Sequence, residues 1–419
     1  MKAKLKLFVV AAVMMLTTTA TYAANQSMME LLRILRDKGT LTQNEYELLV
    51  NASKADKERV EVIKNDTMGA VSKQLKKAKN AESWATKVKV KGDIRLRYQY
   101  QDTDGGNARS RGRYRARIGI IGKPVDNFEA GVGLVSGGSN PRATNDTFSD
   151  TFETKDARMD YAYLQYTKGG LEAIGGKFKR QRYLYQTTDL MWDGDVNPEG
   201  FATKYTMKNA YGSAYAVAGI FVLDENGVND FSTRSSDDPF MYYGQIGQKF
   251  KSDNIFGQTA AMYYALSDYH FVRADGTRTD NNREHNDNET NTDDNFGGFG
   301  VSAELGIKTD FGKISFITDY TNNLATNTEE DTAYALGLKW KHGKWKAKYI
   351  YADLAHNSVP DFLPDSDRFN GDTGIKGHEF AVGYKVNKRV SLGLDFYATQ
   401  DDVTKADQEI LQLDVKMGF

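Results

Sequence analysis

The chain of 419 residues contains no cysteine. That excludes a disulfide framework and a thiolate-held metal. It has only five histidines, His270, His285, His342, His356 and His378, and no Gly-x-Ser-x-Gly or His-Glu-x-x-His run. An enzyme is therefore poorly supported. Neither sign of charge dominates: the formal net charge is -1. Setting aside Lys2, Lys4 and Lys6 leaves about -4, which gives no sign of nucleic-acid binding. Past the first residues, no apolar run is long enough for a membrane helix. What is plentiful is aromatic and small: 24 Tyr, 21 Phe and 38 Gly, at a mean hydropathy of -0.59. A β-barrel needs only every second residue to be apolar, so it can cross a membrane while polar on average.

Both ends of the chain carry export features. Lys2, Lys4 and Lys6 precede an apolar run from Leu7 to Leu16, and Thr21-Tyr22-Ala23 supplies small residues for cleavage. Residues 1–23 read as a signal peptide. At the other end, Leu411, Leu413, Val415, Met417 and Phe419 alternate with Gln412, Asp414, Lys416 and Gly418. A period of two marks a strand with one greasy and one wet face. A final aromatic residue on such a strand resembles the signal that delivers bacterial outer-membrane barrels to their assembly machinery. Phe419 is expected to serve as that signal.

Residues 24–86 read as a helical segment placed in the periplasm. Met28, Leu31, Leu32 and Leu35 recur at helical spacing, and Gly39 stops the run. Thr42 with Glu45 resembles a capping box that opens a second helix. Tyr46, Leu49, Ala52, Val60, Ile63, Thr67, Val71, Leu75 and Ala78 form a thin apolar stripe on it. A lone helix with so thin a stripe is marginal. The stripe suits a coiled-coil seam between copies. A helix lying against its own barrel, or one without fixed structure, fits it as well.

From Val88 the period changes to two. Val88, Val90, Ile94, Leu96, Tyr98 and Tyr100 alternate with Lys89, Lys91, Asp93, Arg95, Arg97 and Gln99. Tyr114, Ala116, Ile118 and Ile120 alternate with Arg113, Arg115, Arg117 and Gly119. Similar segments recur to the C-terminus. Their connections alternate strictly between short, as at Lys168-Gly169 and His342-Gly343, and long and polar, as at 138–156, 180–199, 269–298 and 354–376. A soluble sandwich does not sort its loops by length in this way. The expected fold over residues 87–419 is an all-β transmembrane barrel of about sixteen antiparallel strands, with tight periplasmic turns and long outer loops. Trp340 and Trp345 face outward by parity and suit an interfacial aromatic girdle.

Three stretches carry a family resemblance. They are Leu35-Arg36-Asp37-Lys38-Gly39-Thr40-Leu41-Thr42 with Glu45-Tyr46, the run from Asp189-Leu190-Met191-Trp192 to Asn197-Pro198-Glu199-Gly200, and the closing Phe419. On these the chain resembles Gram-negative outer-membrane porins of the putative-porin group, similar in layout to the phosphate-selective porins O and P. The resemblance implies a passive channel for small hydrophilic solutes, a homotrimer in outer-membrane lipid, and no cofactor. It gives no particular solute. An outer-membrane tether built on the helical segment, or a barrel hydrolase, are readings from other classes.

Selectivity is expected on the lumen face. Arg95, Arg97, Arg113, Arg115 and Arg117 share one face of neighbouring strands, where like charges oppose one another. They read either as a basic wall attracting polar or anionic solutes, or as ordinary lumen polarity neutralised by Asp93, Glu129 and loop acids. By resemblance, the loop at 180–199, with Arg180, Arg182, Asp189, Asp193, Asp195 and Glu199, folds into the lumen as the constriction. Gly131 and Gly133 would leave room for it. Lys177, Lys179, Lys344, Lys346 and Lys348 add little, since barrel lysines are mostly solvated. The Asn/Asp-rich 269–298 loop fits no calcium motif, and no metal site is expected.

Overall fold

The computed structural model describes residues 29–85, 87–225, 238–269 and 290–419. Residues 1–23, read above as a signal peptide, and His270, His285 and most of the Asn/Asp-rich loop lie outside these residues. The chain divides into two compact units between residues 86 and 87.

The first unit holds two helices, α1 over 29–37 and α2 over Gln43–Ala85. Gly39 ends α1 at φ 71°, a conformation open to a residue without Cβ. The capping box forms: the Thr42 backbone N–H donates to Glu45 Oε2 at 2.9 Å, and the Glu45 N–H to Thr42 Oγ1 at 3.4 Å. Arg36 stacks on Tyr46, 4.7 Å from the ring centre, joining the two helices. At 43 residues α2 is about 65 Å long. It leaves Leu48, Val62 and Met68 exposed.

The second unit is the barrel. Its strands are β1 Val88–Thr103, β2 Arg109–Gly122, β3 Phe128–Ser136, β4 Ala157–Lys168, β5 Leu171–Lys177, β6 Glu199–Asn209, β7 Gly212–Val222 and β8 Phe240–Lys251. They continue as β9 Ile255–Ser267, β10 Gly297–Thr309, β11 Gly312–Asn323, β12 Thr332–His342, β13 Trp345–Leu354, β14 Ile375–Lys385, β15 Val390–Asp401 and β16 Asp407–Gly418. A two-residue piece, Asp146–Thr147, adds to β2. Each strand pairs antiparallel with the next, and β1 pairs with β16 from Asp93↔Gly418 to Thr103↔Gln408. The sixteen-stranded sheet is closed, so no edge faces lipid. Phe419 extends the seam: its N–H donates to the Gly92 carbonyl at 3.0 Å, and its ring fills the space a Cβ at Gly92 would need.

Outward positions are apolar, among them Leu96, Ile118, Leu164, Phe201, Ile246, Leu305, Leu338 and Val415. Trp340 and Trp345 are exposed on this face beside one short turn, and Trp345 packs on Tyr384. The register between β3 and β4 slips after Gly133. That bulge turns Asp160 into the barrel beside Tyr161, so that two consecutive side chains point inward.

The interior departs from the expected wet lumen. Val217, Phe221, Met241, Tyr243, Ala260, Tyr264, Ile317, Ala333, Ala335, Ile350 and Ala352 point inward from β7–β9 and β11–β13 and are buried. They pack with Phe178, Leu190, Met191, Trp192, Val196, Val359 and Leu363 from two long loops. The hydrophobic core of this barrel lies inside it, on one side.

Candidate functional site

The loop between β5 and β6, residues 178–198, crosses the lumen. Apolar side chains hold it against the far wall, and hydrogen bonds fix its height. Asp319 on β11 accepts from the Thr187 N–H at 3.1 Å and the Thr188 N–H at 2.6 Å. Gln245 on β8 accepts from the Tyr185 N–H and donates to the Tyr185 carbonyl, both at 2.9 Å. Trp192 donates its indole N–H to the Val196 carbonyl at 3.1 Å. Asp160, placed by the bulge, holds Asn197 and Lys179, each at 2.7 Å.

A second loop, residues 355–374 between β13 and β14, also turns inward. The two loops interlock: the Asp193 N–H donates to the Leu363 carbonyl at 2.6 Å, and the Ser366 N–H to Asp193 Oδ2 at 3.2 Å. Arg142, from the β3–β4 loop, donates to the carbonyls of Asp361 at 2.6 Å and Gly371 at 3.1 Å. Arg368 is buried against Glu379 of β14 at 2.9 Å.

Opposite these loops stand β1 and β2. In their register Arg95 lies across from Arg115, and Arg97 across from Arg113. Such like-charge pairs are unfavourable unless counter-charges meet them. Arg97 forms a bidentate pair with Asp414 at 2.7 and 2.9 Å and reaches Asp367 at 3.5 Å. Arg115 pairs with Asp93 at 2.7 Å, Arg95 approaches Asp414 at 3.6 Å, and Arg117 pairs with Asp195. Two of the neutralising acids, Asp93 and Asp195, are among those the sequence suggested. Glu129 instead accepts from Arg182 at 2.9 Å and from the Tyr163 hydroxyl at 2.8 Å.

The loop residues picked out from sequence divide. Asp195 alone among their carboxylates bonds to the wall. Asp193 links the two loops, Arg180 pairs with Asp189 at 2.6 Å within its own loop, and Arg182 turns towards β3. Glu199 lies apart: it opens β6 on the outward face, mostly exposed, and pairs with Lys177. Gly131 and Gly133 leave room not for the loop but for the rings of Tyr163 and Tyr161, which an added Cβ would strike. Arg182 and Lys179 then lie over those rings. Lys344 is in a turn, bonded to the Val386 carbonyl, whereas Lys346 and Lys348 face the lumen. His342 stacks on Trp340 at a turn, and His378 joins outward aromatics.

The sequence reading missed Asp367, Asp365, Arg142, Arg368 and Asp414. Asp414 was legible by parity on the wet face of β16. Asp365, Asp367 and Arg368 sit in a segment whose entry into the lumen shows in one signal only: Val359, Phe362, Leu363 and Phe369 are apolar within a loop expected to face water. Arg142 comes from the β3–β4 loop.

Two chambers remain on the wall side. The outer one is about 350 Å³ and is lined by six basic and six acidic side chains, the acids mostly on the two loops. The inner one, towards the short turns, is about 690 Å³. Ten basic side chains line it, among them Lys313, Lys339, Lys346 and Lys416, against three acidic ones, Glu304, Asp395 and Asp414. Arg95, Arg115 and Lys348 line both.

The loop carboxylates have unlike electrostatics. Burial opposes the charge on Asp195, but the Arg117 guanidinium and the Thr144 hydroxyl outweigh it and hold its carboxyl down at about 2. Burial pushes Asp365 up to about 7; Arg368 opposes this, while Asp367 and Asp189 add to it. Asp193 is raised as well, by burial and then by Asp365, Asp195 and Asp189. Asp195 is thus a fixed counter-charge, and Asp193 with Asp365 is a crowded pair that favours a proton.

A family model described as "Putative porin" matches residues 103–302. No curated protein sequence matches the chain. Among solved structures, OprB of Pseudomonas putida matches at TM-score 0.50 and 9% identity, over 81% of this chain and 95% of that one. A Rhodopseudomonas blastica porin variant matches at TM-score 0.45 and 13% identity, over 79% of this chain and all of that one. At 9% identity the likeness to OprB is one of fold alone. Taken with the closed barrel, its inward loops and the polar path beside them, the match over residues 103–302 makes the chain similar to the putative porins and supports a porin channel function in the outer membrane.

Proposed function

We propose that this porin passes small hydrophilic solutes by diffusion, with a preference for anions, along the arginine wall between the two inward loops and β1–β2. The observation that carries the reading is the inner chamber, where ten basic side chains face three acidic ones. A narrow, partly desolvated path of one sign concentrates counter-ions and sets their selectivity. In this reading the gradient alone drives flux. The reversal potential of the purified protein in a planar bilayer, under a potassium chloride gradient, tests the preference. An anion-directed potential is expected; a cation-directed one rejects it.

Trimer formation is part of the same reading. β5 has seven residues, fewer than the nine to eleven or so that a tilted strand needs to cross the bilayer. A second copy of the barrel would cover that low stretch of wall, and the mass of the detergent-solubilised protein tests this. The helical segment is assigned to the periplasm. Leu48 and Val62, exposed and two heptads apart on α2, suit a seam between copies there. Phe419 is assigned the delivery role at the assembly machinery. Its deletion should lower the amount of heat-modifiable barrel in the outer membrane; undiminished amounts reject the role.

A further inference from the structure

The arginine wall is unevenly neutralised. Towards the short turns Arg97, Arg115 and Arg117 each have a carboxylate partner. Towards the long loops this stops. Arg113 donates to Gln99 Oε1 at 2.9 Å, and Arg111 to Gln101 Oε1 at 2.8 Å. Neither makes an ion pair among the described residues. Asp367, a loop acid that lines the same chamber, is engaged with Arg97 and with Gln412, which donates to it at 2.8 Å.

The amide partners matter. A carboxylate orients a guanidinium and cancels its charge; an amide orients it and leaves the charge in place. Gln99 is 2% exposed, so the acceptor that aims Arg113 is itself held firmly. Arg111 and Arg113 are two positions apart on β2 and face the same way, with Cα atoms about 7 Å apart. Both line the outer chamber of about 350 Å³. Aligned, uncancelled guanidinium groups this close repel each other, and an anion between them relieves that.

We propose that Arg111 and Arg113, aimed by Gln101 and Gln99, form a saturable site for small oxyanions bearing two negative charges, on the outer side of the constriction. The proposal rests on the anion-preferring reading above and names the solute class for it. Parallel N–H donors suit the oxygens of a carboxylate or a phosphate. The loop acids across the chamber turn away solutes long enough to reach them. Occupancy has to be brief, since conduction requires release as well as entry.

The test is chloride current through single channels at about pH 8, where hydrogen phosphate is dianionic, with succinate, phosphate or acetate added. Succinate and phosphate should reduce the current along a saturating curve, and acetate should need about tenfold more for half-block. A lower half-blocking concentration for phosphate assigns the site to phosphoryl groups, and the reverse to dicarboxylates; either supports it. Arg111→Gln with Arg113→Gln should raise the half-blocking concentration at least about tenfold. Gln99→Glu with Gln101→Glu keeps shape and acceptors, cancels the charge, and should do the same in a barrel that still folds. Unchanged block in that folded variant, or block that never saturates in the wild type, overturns the site. If the wild type also remains anion-preferring, the site alone falls; if it prefers cations, the underlying reading falls with it.

Discussion

The two sides of the lumen are built from different chemistry. β2 presents a guanidinium group at every second residue from Arg109 to Arg117, and β1 sets Arg95 and Arg97 across from two of them. β7 to β13 present Phe221, Met241, Tyr264, Ile317 and Ile350, side chains that would suit the core of a soluble protein. Both sides obey the same alternation and the same barrel geometry. What differs is the partner each finds. The apolar side finds Leu190, Trp192 and Leu363 and excludes solvent, which contributes about 1.5–3 kcal/mol for each large side chain buried. The charged side finds scattered carboxylates and amides and cannot close. The path is therefore off-centre, and the same two loops that pack one side line the other. The inward loops are held by hydrophobic packing; in the proposed reading, selectivity comes from charge.

That division can be broken first at its packing. Trp192→Ala removes a side chain that is 2% exposed and should cost about 3–5 kcal/mol. The denaturant midpoint of the barrel should fall, and single-channel current should become larger and noisier. Asp319→Ala leaves the Thr187 and Thr188 donors unmet and should cost about 2–3 kcal/mol. The same two measurements apply, with smaller shifts expected.

The third way is pH. The fold raises the Asp365 carboxyl to about 7, so it favours the protonated form. Its stabilising contribution is greatest below the ordinary carboxylate range and is lost as pH rises through about 7. Raising pH from about 5 to 8 should therefore loosen the contact between the loops and add negative charge to the outer chamber. Anion preference, read from reversal potentials, should fall over that window, and Asp365→Asn should flatten the change. Asp195 runs the other way: its pairing with Arg117 is present above the ordinary range and fails only as pH falls towards about 2. The smallest effect is expected at Glu199, whose side chain is 62% exposed. Glu199→Gln should shift stability by less than about 1 kcal/mol and leave selectivity unchanged. A clear change in reversal potential would put Glu199 back in the constriction.

Most of the barrel was legible in sequence because a period of two and the sorting of loops by length are local signals. The facing of Arg95, Arg97, Arg113, Arg115 and Arg117 followed from parity alone. The inward core did not, because period-two reasoning assigns apolar residues to lipid and polar ones to the lumen. β7 held the warning: Ala214-Tyr215-Ala216-Val217-Ala218-Gly219-Ile220-Phe221-Val222 is apolar on both faces, as a strand covered on both sides should be. Asp160 was hidden by the bulge, which breaks parity. Asp367 and Ser366 meet Arg97 and Asp193 from 270 and 173 residues away, and Arg368 meets Glu379 only 11 residues on but through the inward turn of its loop; no local pattern links them.

The absence of cysteine makes the central claim directly testable. Arg113→Cys places a thiol on the charged side, and Ile317→Cys places one on the packed side, where Ile317 has no exposure. Each variant would be treated, folded in a bilayer, with a small charged thiol reagent while current is recorded. The account predicts rapid modification and a stepwise fall in current for Arg113→Cys, and no modification of Ile317→Cys until the barrel is unfolded. Modification of Ile317→Cys as fast as Arg113→Cys would show that the apolar side is open to water, and would contradict an off-centre path fixed by a packed interior.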